Sequence, residues 1–329
     1  MKFIAMLCGA CLLATNYAIS AQIHPISSGK DYPNKPVRLI VTSSVGGPAD
    51  ALSRLVGAKL TEALEQTALI DNRDGASGMI GSQLAARSAP DGYTLLVGSG
   101  SSLMNAPALK IKPPYDPFTD FSPVTLMVIN PQILLVHNTL PLNSVKELVE
   151  LAKSKPGQIT YGSGGVGAAP HLGAELLSAM TGITLLHVPY KGSAPALIDL
   201  LAGQLQFVFN TMQPSVMTLV KSGRVRGLAV SSAQRSPAAP NIPTVAETYP
   251  GFENISWYGL FAPAKTPQDI IAKLNANVVK ILREPEMAQS LASQGAEPAP
   301  GTPEALRKFM RLESGRLKKI IAYAGLKSD

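Results

Sequence analysis

Along PVRLIV the apolar side chains Val37, Leu39 and Val41 share one face, and Ile40 makes the other face apolar as well. A period of two over so short a run predicts a mostly buried β-strand. After the polar, glycine-bearing TSSVGG the period lengthens: Leu52, Leu55, Val56, Leu60, Ala63 and Leu64 recur at helical spacing. Pro48 suits a first helical position, where no amide hydrogen is needed, and Asp50 suits the positive end of the helix.

The alternation of elements continues. TALIDNR reads as a strand, GMIGSQLAARSA as a helix, and GYTLLVGSGSS as a strand ending in small polar residues. TLMVINPQILLVH is one continuous β-rich apolar run, and the helix SVKELVELAKS follows it. Then come strand TLLHVPY, helix APALIDLLAGQ, strand LQFVFNT, helix SVMTLVKSG and strand VRGLAVSS. Strands and helices alternating at this length predict an α/β protein, with parallel strands covered by helices. The Pro-rich RSPAAPNIPTVAETYPGFENISWYG reads as a surface loop. Thr266-Pro267-Gln268-Asp269 predicts a capping box at one closing helix, and Thr302-Pro303-Glu304 opens another.

At 329 residues, 46% apolar and 16% charged, the chain has material for a full core and about two domains. Residues 1–21 differ from the rest. Lys2 precedes an apolar run from Phe3 to Ala14, and AISAQ offers small residues for cleavage after Ser20 or Ala21. That is the pattern of a secretory signal peptide, and residues 22–30 read as a flexible lead-in. Cys8 and Cys11 both fall in the middle of that run, too early for a lipid-attachment site. The mature chain is then expected to hold no disulfide and no thiolate metal site. The formal charge of +7 becomes +6 without Lys2, and no basic block is longer than Lys318-Lys319. With aromatics at 5%, a stacking platform for nucleic acid is poorly supplied, and a mild preference for anions remains.

The stretch ITYGSGGVGAAPHLGAELL sets Gly162, Gly164 and Gly167 at the G-x-G-x-x-G spacing of a dinucleotide-binding turn. Such a site also needs an acid at the end of the next strand to hold the ribose hydroxyls. No acid occurs between Glu175 and Asp199, so the nucleotide reading lacks its partner. Glycines ahead of a helix can instead aim several N–H groups at one small anion, helped by the helix's partial positive charge. Ser163 adds a hydroxyl and His171 stands at the helix start. Ser43, Ser44, Gly46 and Gly47 equip the first half in the same way. Two such loops facing each other would clamp a ligand carrying a carboxylate at one or both ends. Each element also has a plain structural reading: tight turns for the glycines, packing for His171, a turn for Asn210, and structural roles for Trp257 and Tyr258.

Catalytic groupings are scarce. His24, His137, His171 and His187 are scattered and share no metal-binding spacing. No G-x-S-x-G nucleophile elbow occurs, and Asp71, Asp74 and Asp91 sit beside Gly and Asn as turn chemistry places them. Neither a cofactor nor a metal is expected.

Taken together, several stretches resemble the Bug family, the extracytoplasmic solute receptors of tripartite tricarboxylate transporter systems. They are YPNKPVRLIV, GGPAD, IDNRDGASGMIG, APDGYTLLVGS, PYDPFTDFSPVTL, HVPYKGSAPALIDLLAGQLQ, RVRGLAVSSAQRSPAAPNIPTVAE and SWYGLFAPAKTP, and the likeness runs from about Tyr32 to the C-terminus. The resemblance implies a two-lobed α/β periplasmic-binding-protein fold, type II-like, with a hinge of crossover strands and a ligand cleft between the lobes. Lobe 1 is expected over residues 31–126 plus 230–329 and lobe 2 over 127–229. A periplasmic monomer is implied, without enzymatic activity, that hands a small carboxylate to membrane permease subunits. A stand-alone sensor and an exported carboxylate-processing enzyme are the alternatives.

By the same resemblance, the ligand-binding residues are Ser43, Ser44, Val45, Gly46, Gly47, Ala49 and Asp50 in the first lobe. Ser163, Gly165, Val166, Gly167, Ala168 and His171 answer them in the second. Ser99, Ser101 and Asn210 are further contacts, and Lys191-Gly192 is a second-lobe turn. In one place the chain departs from the family pattern. Thr42-Ser43-Ser44-Val45 stands where a Pro-Phe-Pro-Pro run is usual, so an aromatic wall gives way to hydroxyls and a more polar, roomier site is expected.

Overall fold

The computed structural model describes residues 32–109, 112–190 and 192–324. The expected signal peptide, the lead-in and Lys191 lie outside the described residues.

The chain begins β1 (Val37–Val41), α1 (Pro48–Leu64), β2 (Ala68–Asn72), α2 (Met79–Ala86) and β3 (Thr94–Ser99). A wide π-type turn, Ser101–Asn105, and the single turn α3 (Ala106–Ala108) lead to the long strand β4 (Phe121–His137). Then follow α4 (Val145–Ser154), β5 (Thr160–Ser163), α5 (Ala169–Thr181), β6 (Leu186–Pro189), α6 (Ser193–Leu201), β7 (Phe207–Thr211), α7 (Pro214–Lys221) and β8 (Val225–Val230). The chain closes with α8 (Val245–Thr248), β9 (Ile255–Pro263), α9 (Gln268–Leu282), α10 (Pro285–Ala292), β10 (Glu297–Pro298) and α11 (Pro303–Ala324).

One path of strands, β2-β1-β3-β9-β4-β7-β5-β6, runs through the molecule. β1 lies parallel between β2 and β3, and α1 packs on its Leu39 face and α2 on its Ile40 face, so Val37, Ile40 and Val41 are completely buried. That burial is why a run of apolar residues, and not a strict alternation, marks this strand. β4 links the two ends of the path. Its first part pairs antiparallel with β9 from Phe121 to Pro131, and its second part pairs with β7 and β8 from Gln132 to His137. Hydrophobic clusters lie on both sides of this division: one joins Leu39, Leu60, Leu95 and Leu274, and another joins Ile133, Leu200, Val208 and Val230.

Three expectations need correction. The Pro-rich segment is not all surface loop: Val245 and Phe252 are buried, a capping box at Thr244 and Glu247 starts α8, and the segment's end enters β9. Helix α10 had no separate signal, because Pro285 at its first turn reads as a break in a longer pattern. Helix α9 is capped at Pro267, one residue after the Thr266 that the sequence suggests, and Thr266 donates to the Pro263 carbonyl.

Candidate functional site

Both glycine loops reach one cavity of about 320 Å³. From the first loop and helix start come Thr42, Ser43 and Ala49; from the second come Gly164, Val166, Gly167 and Ala168. Asp74, Ser77 and Gly78 form a further wall, and Ser99, Ser101, Asn105 and Tyr258 form the floor where β3 meets β9. Asn105 ties the two sides together, donating from Nδ2 to the Gly167 carbonyl at 3.2 Å.

Helices α1 and α5 begin at this cavity, and their starts share a construction. Each has proline in its first turn and a cap residue, Gly47 or Ala168, that offers no side-chain hydrogen bond. The first amides of a helix have no intrahelical acceptor, and most helices satisfy one with a capping side chain. Here Ala49 and Asp50 on one side, and Ala169 and His171 on the other, keep first-turn amides without such a cap. The partial positive charge of two helix starts thus meets a single space.

The glycine amides are spent locally. Gly46 N–H donates to Asp50 Oδ2 at 2.9 Å and Gly47 N–H to the Ser44 carbonyl at 3.1 Å. Gly165 N–H donates to Ser163 Oγ at 3.1 Å, Gly167 N–H to His171 Nδ1 at 3.2 Å, and Ala168 N–H to the Gly165 carbonyl at 3.2 Å. Gly46, Gly47, Gly165 and Gly167 therefore shape the loops, and the donors left facing the cavity are the helix amides behind them, with Gly164 beside them in the lining.

The sequence-derived candidates divide accordingly. Ser43, Ala49, Ser99, Ser101, Val166, Gly167 and Ala168 line the cavity. Ser44, Val45, Gly46 and Gly47 belong to the first loop but lie off the wall, with Val45 exposed at 72%. Asp50 is turned inward; its carboxyl is held below the usual carboxylate range, first by the Arg54 guanidinium at 3.0 Å and also by Gly46. Asn210 is buried in β7 opposite Ile133, away from the cavity.

Ser163, Gly165 and His171 also lie behind the wall, in a cluster that the scattered sequence positions conceal. His171 and His187 come together with ring centroids 4.3 Å apart, and His187 stacks on Tyr161 at 4.8 Å. Ser163 Oγ lies 2.7 Å from His187 Nε2. Tyr161 donates to Glu175 Oε1 at 2.6 Å, and the same oxygen lies 4.0 Å from His171 Nε2. Because Nδ1 of His171 accepts the Gly167 amide, its ring is neutral with the proton on Nε2. Burial lowers the pKa of both rings; that of His187 falls to about 4, with His171 contributing second. Neutral rings pack tightly under the second loop, and charged rings would not.

Sequence reasoning missed Thr42, Asp74, Ser77, Gly78, Asn105 and Tyr258. Tyr258 is half-buried, and burial pushes its hydroxyl up to about 12, which keeps it a donor. Nothing in SWYG distinguishes a floor residue from a core residue; only the pairing of Ser99 with Tyr258 across β3 and β9 brings it to the cavity. Beside the floor, a smaller cavity of about 90 Å³ contains Arg316 with its partners Glu253 and Glu313. This ion pair joins α11 to the segment leading into β9.

Residues 52–326 match the tripartite tricarboxylate transporter family receptor. The chain is similar to protein BugT of Bordetella pertussis, with 35% identity over 91% of this chain and 92% of that one. Among solved structures it is similar to Rpa4515 of R. palustris with adipate, at 37% identity and TM-score 0.76, covering 90% of this chain and 99% of that one. It is also similar to MatC of Rhodopseudomonas palustris with bound malate, at 31% identity and TM-score 0.72, covering 88% and 100%. The fold is thus that of the periplasmic solute-binding proteins.

Proposed function

The chain belongs to the tripartite tricarboxylate transporter receptor family, whose members are solute-binding receptors, and on that premise we propose how it holds its solute. A small carboxylate occupies the cavity between the two glycine loops, with oxygens directed at the uncapped starts of α1 and α5. Adipate and malate, the ligands in the two related structures, are both dicarboxylates of a size such a space admits. The observation carrying this reading is the convergence of two helix starts, each without a capping side chain, on one cavity. The hydroxyls of Ser101 and Tyr258 complete the donor set, and that of Ser43 joins it by leaving the Ser44 carbonyl.

Of the earlier candidates, Ser43, Ala49, Ser99, Ser101, Val166, Gly167 and Ala168 then touch solute. Ser163, Gly165 and His171 position the second loop, and Asp50 positions the first. We take residues 31–126 plus 230–329 and residues 127–229 as the lobes, with β4 and β9 in the crossover. A ligand held by both lobes favours the closed arrangement, because only that arrangement satisfies all its contacts. The closed receptor, exported by its signal peptide as a monomer, passes the solute to the permease subunits without altering it.

Ligand that binds only the folded state raises the unfolding temperature. A screen of succinate, glutarate, adipate, malate, citrate, benzoate and amino acids should therefore give a concentration-dependent rise with at least one carboxylate. Its uncharged amide should give none. Equal shifts from acid and amide would contradict the reading.

A further inference from the structure

Asp74 is the single charged side chain among the described residues lining the cavity. A carboxylate in the wall of a site for carboxylates demands an explanation. Among the described residues no cation in that lining neutralises it and it forms no ion pair, and its one hydrogen bond there is Oδ1 accepting the Gly75 amide at 2.7 Å. The neighbouring Arg73 is committed elsewhere, to Asp71 at 2.9 Å.

The backbone holds Asp74 in place at a cost. Gly75, Ala76, Ser77 and Gly78 all have positive φ, at 115°, 48°, 56° and 86°. Two of these residues carry side chains, for which that region is strained. Strain of this kind persists where the surrounding structure fixes the conformation. Here Asp74, Ser77 and Gly78 all face the cavity.

A dianion clamped between the helix starts would meet the Asp74 charge across the same space, and repulsion between them would strengthen as closure expels water. A ligand with a carboxylate at one end and an ammonium at the other meets no such conflict. Its carboxylate takes the helix amides and hydroxyls, and its ammonium takes the free Oδ2 of Asp74, with Ser77 in the same wall. From this geometry we propose that Asp74 is a specificity-determining residue that selects an amino-carboxylate over a dicarboxylate. The proposal rests on the receptor function above and narrows it to zwitterionic solutes. A wall carboxylate builds the preference by attraction and by repulsion at once.

The test is calorimetric titration of the intact receptor and of Asp74→Asn, which keeps the acceptor for Gly75. Succinate, glutarate and adipate are compared with the ω-amino acids of equal chain length and with their own α-amino derivatives. The wild-type protein should bind an amino-carboxylate more tightly than the matching dicarboxylate. In Asp74→Asn that ligand should weaken by about tenfold or more, as loss of a charge-assisted contact implies, and the dicarboxylate should gain. If the wild type prefers the dicarboxylate in each pair, or if Asp74→Asn shifts both members equally, the proposal is overturned while the carboxylate site stands. If no carboxylate in the set binds, the proposal and the site both fall.

Discussion

Replacing Gly78 with alanine should cost the receptor stability and solute together. Gly78 has φ of +86°, and an added Cβ would lie 2.8 Å from Ser102 Cβ, 2.9 Å from Thr42 Cβ and 3.0 Å from the Thr42 carbonyl oxygen. None of these is the end of a flexible side chain, so the backbone itself has to move. Positive φ costs a non-glycine residue about 1 kcal/mol, and overpacking adds about 1–3 kcal/mol, so a total of roughly 2–4 kcal/mol is expected. For a chain of this length that is a fall of several degrees in unfolding temperature. Since Thr42 and Gly78 both face the cavity, affinity should drop as well. Gly182→Ala is the control, for Gly182 has φ of +70° and nothing within 4 Å of its added Cβ. It should pay the conformational cost alone and keep full affinity. Equal thermal losses in the two variants would show that the contact with Thr42 and Ser102 does not matter.

Acidification should weaken the fold through the histidine cluster. The ordinary histidine pKa is about 6.5, and that of His187 is lowered by burial to about 4. A lowered histidine pKa means that the unfolded chain binds the proton more readily than the native one. Stability from His187 is therefore complete above about pH 6.5, is lost progressively as pH falls toward 4, and changes no further below that. The shift corresponds to a few kcal/mol by linkage, and partial access of water to the half-buried ring brings the expected figure nearer to about 2 kcal/mol. His171 acts in the same direction. Its protonation would also turn Nδ1 from acceptor to donor and break the bond from Gly167 N–H, so the second loop should release solute in acid. Thermal unfolding between pH 7.5 and 4.5 should show the decline, and His187→Asn should flatten it. An identical slope in wild type and variant would assign the acid response to other groups.

Much of the fold was legible in residue order because the two sheet ends use buried parallel strands and amphipathic helices. Val37–Val41 and Pro48–Leu64 are found where period and proline placed them. What failed was the return crossing. β9 alternates buried and half-buried residues only from Ile255 to Tyr258, and it emerges from a Pro-rich stretch whose turn signals outweigh so short a pattern.

The site was half legible for a related reason. A glycine loop before a helix is a local signal, so both loops could be found. Whether an amide points at the cavity or at Asp50, Ser163 or His171 depends on side chains that fold back over several residues, and spacing does not record that. Asp74 and Tyr258 reach the cavity only through tertiary structure. Asp74 looked like turn chemistry because its bond to Gly75 is turn chemistry.

The helix amides at the starts of α1 and α5 are the anion's partners. In an isotope-labelled receptor titrated with its best carboxylate, the amide resonances of Ala49, Asp50, Ala169 and His171 should move together and saturate, unchanged by a metal chelator. If those four amides stay still while solute binds, or if the chelator abolishes binding, the solute is held by something other than the two helix starts.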